Sequence, residues 1–168
     1  MTQQTFVFAN APTTQIPALE MTVREALATH DGQHVATIGN VVMLRIARAT
    51  DAIAICLDTI SALDGPGPRL VRCGVDTGLA LRVGAGWGGP VVDFAARLAE
   101  HASPGQVLAT SATRQATGHA QIDFVDLGEH RLGAEAPPTV LYRAYRVADL
   151  DRARPATPDT ASETPPHQ

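Results

Sequence analysis

The sequence predicts an α+β domain in which an antiparallel-rich sheet is covered on one face by helices. Three observations carry that expectation. Apolar residues recur at spacings of three and four in three separate stretches. Short β-branched and aromatic runs lie between those stretches. The two kinds of segment follow one another without strict strand–helix alternation. At 168 residues the chain is long enough for one domain with one hydrophobic core.

Taken in order, Thr5 to Ala9 reads as a strand, ended by Asn10-Ala11-Pro12. Ile16, Leu19, Val23 and Leu27 form one face of a helix that Asp31-Gly32 terminates. Pro17 fits its first turn. His34 to Ile38 and Val41 to Ile46 read as a hairpin across Gly39-Asn40, two residues that accept turn dihedrals. Ala49, Ile53, Cys56, Ile60 and Leu63 mark a second helix, capped near Thr50 or Asp51. Leu70 to Thr77 is a strand, and Leu79 to Val83 is its continuation or its hairpin partner. Gly84 to Gly89 reads as a hairpin loop around Trp87, an aromatic that serves as loop packing or as a contact anchor. Val91, Ala95, Leu98 and Ala102 mark a third helix that opens on Pro90. Val107 to Thr110, Phe124 to Leu127 and Thr139 to Val147 read as strands, with a short helix over Ser111 to Thr117. The domain is expected over 1–147. Over 148–168, prolines among Ala, Thr, Asp and Glu without an apolar anchor predict a mobile tail.

Thirteen basic against 17 acidic residues give a net charge of -4, which excludes a polybasic nucleic-acid binder. All 13 basic residues are arginine, so no mechanism that needs a lysine is open. No apolar run approaches the ~20 residues that cross a bilayer, and Met1 to Phe8 lacks the pattern of a signal peptide. A cytoplasmic protein with free thiols, without nucleic-acid or membrane partners, is expected. Six scattered histidines and two cysteines far apart in sequence offer no metal-ligand spacing, and no cofactor is expected. Asp93 and Arg97, four apart on the third helix, are placed to pair.

Several segments resemble one family. Val71-Arg72-Cys73-Gly74-Val75-Asp76-Thr77-Gly78 resembles the Gly-x-x-Thr-Gly signature of class III adenylate and guanylate cyclase catalytic domains. Asp93-Phe94-Ala95-Ala96-Arg97-Leu98 is similar to that family's Asn-x-x-Ala-Arg-Leu helix. Ser103 to Leu108 and Leu127 to Leu132 resemble its later segments, Phe6 to Asn10 its first strand and His34 to Asn40 its central hairpin. The resemblance spans about Thr5 to Val147. It implies a ferredoxin-like βαββαβ core with extra C-terminal strands, and a site formed between two domains arranged head to tail.

The family converts ATP or GTP to a cyclic nucleotide using two metal-binding carboxylates. By the resemblance these fall at Asn10 and Asn40, both amides here. A neutral amide does not supply the charge that a hard cation requires. The base-selecting lysine falls at Ala36, its partner position at Gly86, and the phosphate-contacting lysine at Gly133. The ribose-orienting asparagine falls at Asp93, and the transition-state arginine is kept at Arg97, where Asp93 is placed to occupy it. The resemblance therefore implies a vestigial nucleotide site without catalytic or metal-binding residues. It implies a degenerate cyclase acting as a dimerising or regulatory module, expected as a homodimer and without cyclase turnover. The alternatives are an Arg97-donating partner in a heterodimer with an intact cyclase, or a small-ligand or protein binding module in the vacated groove.

Overall fold

In the computed structural model, residues 2–65, 67–118 and 121–149 are described. The tail expected over 148–168 lies almost entirely outside them. Strand β1 (Thr2–Asn10) is followed by helix α1 (Ile16–Leu27), the hairpin β2 (Gly32–Ile38) and β3 (Val41–Ile46), helix α2 (Ala49–Asp64) and strand β4 (Arg72–Val83). Next come β5 (Gly86–Gly88), α3 (Pro90–His101), β6 (Val107–Ala109), α4 (Ser111–Ala116), β7 (Ile122–His130) and β8 (Thr139–Arg146).

The sheet order is β2-β3-β1-β4-β6-β8-β7, with β5 paired to β4 alone. The first four strands form the antiparallel ferredoxin-like core; β4 and β6 run parallel, and β7 and β8 extend the sheet. Leu79 to Val83 continues β4, and its hairpin partner is β5 across Gly84-Ala85. Gly84 and Gly39 both carry positive φ at these turns, the conformation that glycine adopts without a Cβ penalty.

Side chains alternate across a strand, and β1 is apolar on both sides. Val7 and Ala9 pack with Leu19 of α1 and Ile53 and Cys56 of α2. Phe6 and Phe8 point the other way, to Val91, Val92 and Ala95 of α3. Helices therefore flank both faces, which corrects the one-faced covering expected from sequence. The physical reason is the second apolar set, Phe6, Phe8 and Met43, which needs a cover of its own. A third cluster joins Leu98 of α3 to Leu108, Leu132 and Leu141.

Gly74 sets the seat of α3. A Cβ there would stand 2.3 Å from the Ala99 nitrogen and 2.4 Å from the Ala95 oxygen. Only a bare backbone lets the helix lie on β4. On the opposite face the Cys56 and Cys73 thiols are both buried. The contact with Cys73 raises the pKa of the Cys56 thiol well above its ordinary value, and burial adds to the rise. Both thiols sit in the core as small apolar groups. Among the described residues no helix is long and apolar enough to cross a membrane.

Candidate functional site

The two amides meet at one end of the sheet. Asn10 is the last residue of β1, and Asn40 closes the turn between β2 and β3. Asn10 lies opposite Val41, and the Ala11 N–H donates to the Asn40 carbonyl at 3.1 Å. Asn40 is exposed, whereas Asn10 is only 5% exposed, and its Oδ1 has no hydrogen-bond partner among the described residues. On its other flank Asn10 lies directly opposite Arg72 of β4. Facing residues on paired strands share one side of the sheet, with Cβ atoms about 5 Å apart.

This donor set does not fit a pair of divalent cations. Hard cations take charged oxygen ligands. Here the two positions offer neutral amides, and the residue facing Asn10 on β4 is Arg72, whose Nη1 donates to the Ala102 carbonyl at 3.3 Å. Among the described residues no three His, Cys, Asp or Glu side chains come together as a metal site.

Ala36 follows a bulge in β2 and lies opposite Met43, itself opposite Phe8, so it shares the face on which Asn10 sits. The bulge region is tied to α1: Thr37 Oγ1 donates to Glu20 at 2.5 Å and lies 2.7 Å from His34 Nε2. Gly86 lies on the β4–β5 ribbon, beyond the Thr2 end of β1 and so far from Asn10 along the sheet. Its neighbour Trp87 folds back over Phe6, with ring centroids 5.8 Å apart. The Arg82 and Arg45 guanidiniums lie 4.9 and 5.8 Å from the Trp87 ring centre. Trp87 is thus half-buried packing, not a free loop tip; its Nε1–H is buried without a partner among the described residues.

The second group of site positions lies at α3. Asp93 and Arg97 are both exposed on this helix. Arg97 Nη1 donates to the Leu132 carbonyl at 3.0 Å. Gly133 has φ +121°, and a Cβ there would stand 2.8 Å from that same Nη1. Arg97 therefore lies across Gly133 and on its own chain. No ion pair joins Asp93 to Arg97 among the described residues, contrary to the helix-spacing expectation; the carbonyl and the space at Gly133 hold the guanidinium instead. The structure thus brings Asn10 to Asn40 and Arg97 to Gly133.

Three features escaped sequence reasoning. The Asn10–Arg72 pairing depends on strand register, which no local pattern fixes. The Arg97–Leu132 bond spans 35 residues. Asp76, inside the Gly-x-x-Thr-Gly-like segment, is partly buried beside β6. Burial pushes its carboxyl up to about 6, against hydrogen bonds from Thr110 Oγ1 at 2.6 Å and the Thr77 N–H at 2.8 Å that hold it down.

No protein-family model and no curated protein sequence matches this chain. Solved structures do. An adenylate cyclase of Trypanosoma brucei is similar over 86% of this chain and 88% of its own, with a TM-score of 0.71 and 21% identity. The guanylate cyclase domain of a Catenaria anguillulae protein, solved with GTP, covers 86% of this chain and 96% of its own, with TM-score 0.71 and 16% identity. The adenylyl cyclase CyaB of P. aeruginosa covers 85% and 93%, with TM-score 0.68 and 16% identity. At these identities the likeness is one of fold. The chain therefore has the class III nucleotidyl cyclase fold, a ferredoxin-like core extended by C-terminal strands and flanked by helices.

Proposed function

We propose that this chain is a catalytically inactive cyclase-type domain that serves as a dimerising or regulatory module in signalling. One observation carries the reading: Asn10 and Asn40, brought together at one end of the sheet, are both amides, and Arg72 faces one of them. A nucleotide triphosphate would meet no metal charge there. The α3 side adds to this, because Arg97 is bonded to the Leu132 carbonyl instead of standing free for a phosphate.

The open part of the α3-side face supports the dimerising role. Phe8 and Met43 are half-buried there, and Ile38 is 77% exposed. Exposed apolar surface suits a face that is covered by a second chain. The same features suit a small ligand in the vacated groove, a reading that saturable binding by a metabolite would favour over dimerisation.

The test of inactivity is a turnover assay of the purified chain with ATP or GTP and Mg²⁺ or Mn²⁺. No cyclic nucleotide above background is expected. Turnover that disappears in Arg97→Ala would contradict the reading. The exposed, retained Arg97 keeps one alternative in play, an arginine-donating subunit for an intact cyclase. Co-expression with such a cyclase decides it: activation by the wild type and not by Arg97→Ala supports donation, and equal activation removes it.

A further inference from the structure

We propose that a cavity between α2 and β8, apart from the cyclase-type groove, binds a small zwitterion of the α-amino-acid type. The cavity measures about 420 Å³, within the usual range for small-molecule sites. None of the site positions discussed above lines it.

Its walls carry charge of both signs. Arg69 lines it and has no hydrogen-bond or ion-pair partner among the described residues. Arg143 borders it from β8 but lies opposite Leu108, and so on the face of the sheet turned to α3. Arg146, also in the wall, is already taken by Asp58 at 2.7 Å. The Arg69 stem lies against Gly105, where a Cβ would stand 2.5 Å from Arg69 Cδ, so the bare glycine fixes the arginine at the wall. On the negative side, Asp64 lines the cavity and is 7% exposed. Its Oδ1 accepts the Leu70 N–H at 3.1 Å, while Oδ2 is buried without a partner. Asp64 also ends α2, where the helix dipole is negative. Asp149 lines the rim.

This arrangement selects against ions of a single sign. A simple anion would meet the Asp64 carboxylate and the negative end of α2. A simple cation would meet the unpaired Arg69 guanidinium. A molecule with a carboxylate and an ammonium a few ångströms apart answers both, its ammonium toward the Asp64 carboxylate and its carboxylate toward the Arg69 guanidinium fork. Leu57 and Ile60 supply an apolar wall for its side chain.

The test is a calorimetric titration of the full chain with L-leucine, and with 4-methylpentanoate and 3-methylbutylamine, which keep its body but lose one charge each. Saturable L-leucine binding below about 10 mM is expected, with each analogue weaker by about tenfold or more. Arg69→Gln should weaken it by a similar factor, with circular dichroism unchanged. Asp64→Asn should do the same; because Asp64 also holds the Leu70 N–H, Arg69→Gln, which removes no bond of the fold, keeps the test valid if that variant does not fold. The proposal is overturned if L-leucine, L-phenylalanine and L-glutamate all give no saturable heat at about 10 mM. It is equally overturned if an analogue binds as well as L-leucine, or if Arg69→Gln binds as the wild type does.

Discussion

Asp76 and Asn10 stand on neighbouring strands, and burial acts on the two differently. For Asn10 there is no charge to desolvate, so the side chain is sealed in at the cost of one orphaned oxygen. For Asp76 the carboxyl is raised from 3.8 to about 6. A raised carboxyl means that the folded state holds its proton more tightly than the unfolded chain. The stabilisation is complete below pH 3.8 and is lost as pH rises to about 6. We expect Asp76→Asn, whose amide oxygen still accepts from Thr110 and Thr77, to lack this loss. Urea melts should give equal pH-dependence below pH ~4 and a relative gain for the variant of about 2–3 kcal/mol by pH ~7. Parallel stability curves for wild type and variant across that window would refute the assignment. At this scale the sequence identified the amides at 10 and 40 and the glycine at 133. It did not reveal Arg72 beside Asn10 or Leu132 beneath Arg97, because both are contacts across the fold. The Asp93–Arg97 pairing failed because helix spacing permits a pair without choosing it over a backbone carbonyl.

The strands and helices were largely legible, since their apolar periods are strong and glycine–proline punctuation separates them. Their packing faces were less so. Nothing in the stretch Val91 to Ala102 says that α3 lies across the sheet from α1 and α2. The information is divided between that helix and the Phe6–Phe8 side of β1. Likewise, whether Leu79 to Val83 continued β4 or turned back was settled by pairing with β1, whose ladder reaches Ala80 opposite Thr2. Gly74 is the residue where two elements meet most closely. Gly74→Ala places a methyl within 2.4 Å of two α3 backbone atoms, and a backbone has little room to give. We expect a loss of about 3 kcal/mol or more in chemical denaturation, or no soluble protein. A variant within about 0.5 kcal/mol of the wild type would mean that α3 does not rest on β4 as described.

For the molecule as a whole, six resembling segments in chain order pointed to the fold, and the topology agrees with them. Oligomeric state has no such signal within one chain. The open α3-side face carries Ile38 at 77% exposure beside half-buried Phe8 and Met43, an apolar patch suited to a second copy. Under the dimerising reading, Ile38→Asp leaves monomer stability nearly unchanged and shifts light-scattering mass from dimer to monomer. A wild type that stays monomeric over a concentration series would remove that reading. The central claim is that a cyclase fold here has lost metal-dependent nucleotide handling. Calorimetric titration of the purified chain with ATP and with GTP, each with and without Mn²⁺, tests it most directly. The account predicts no heat that depends on the metal. Mn²⁺-dependent binding of either nucleotide would contradict it, because Asn10 and Asn40 would then have been replaced in their role by other ligands.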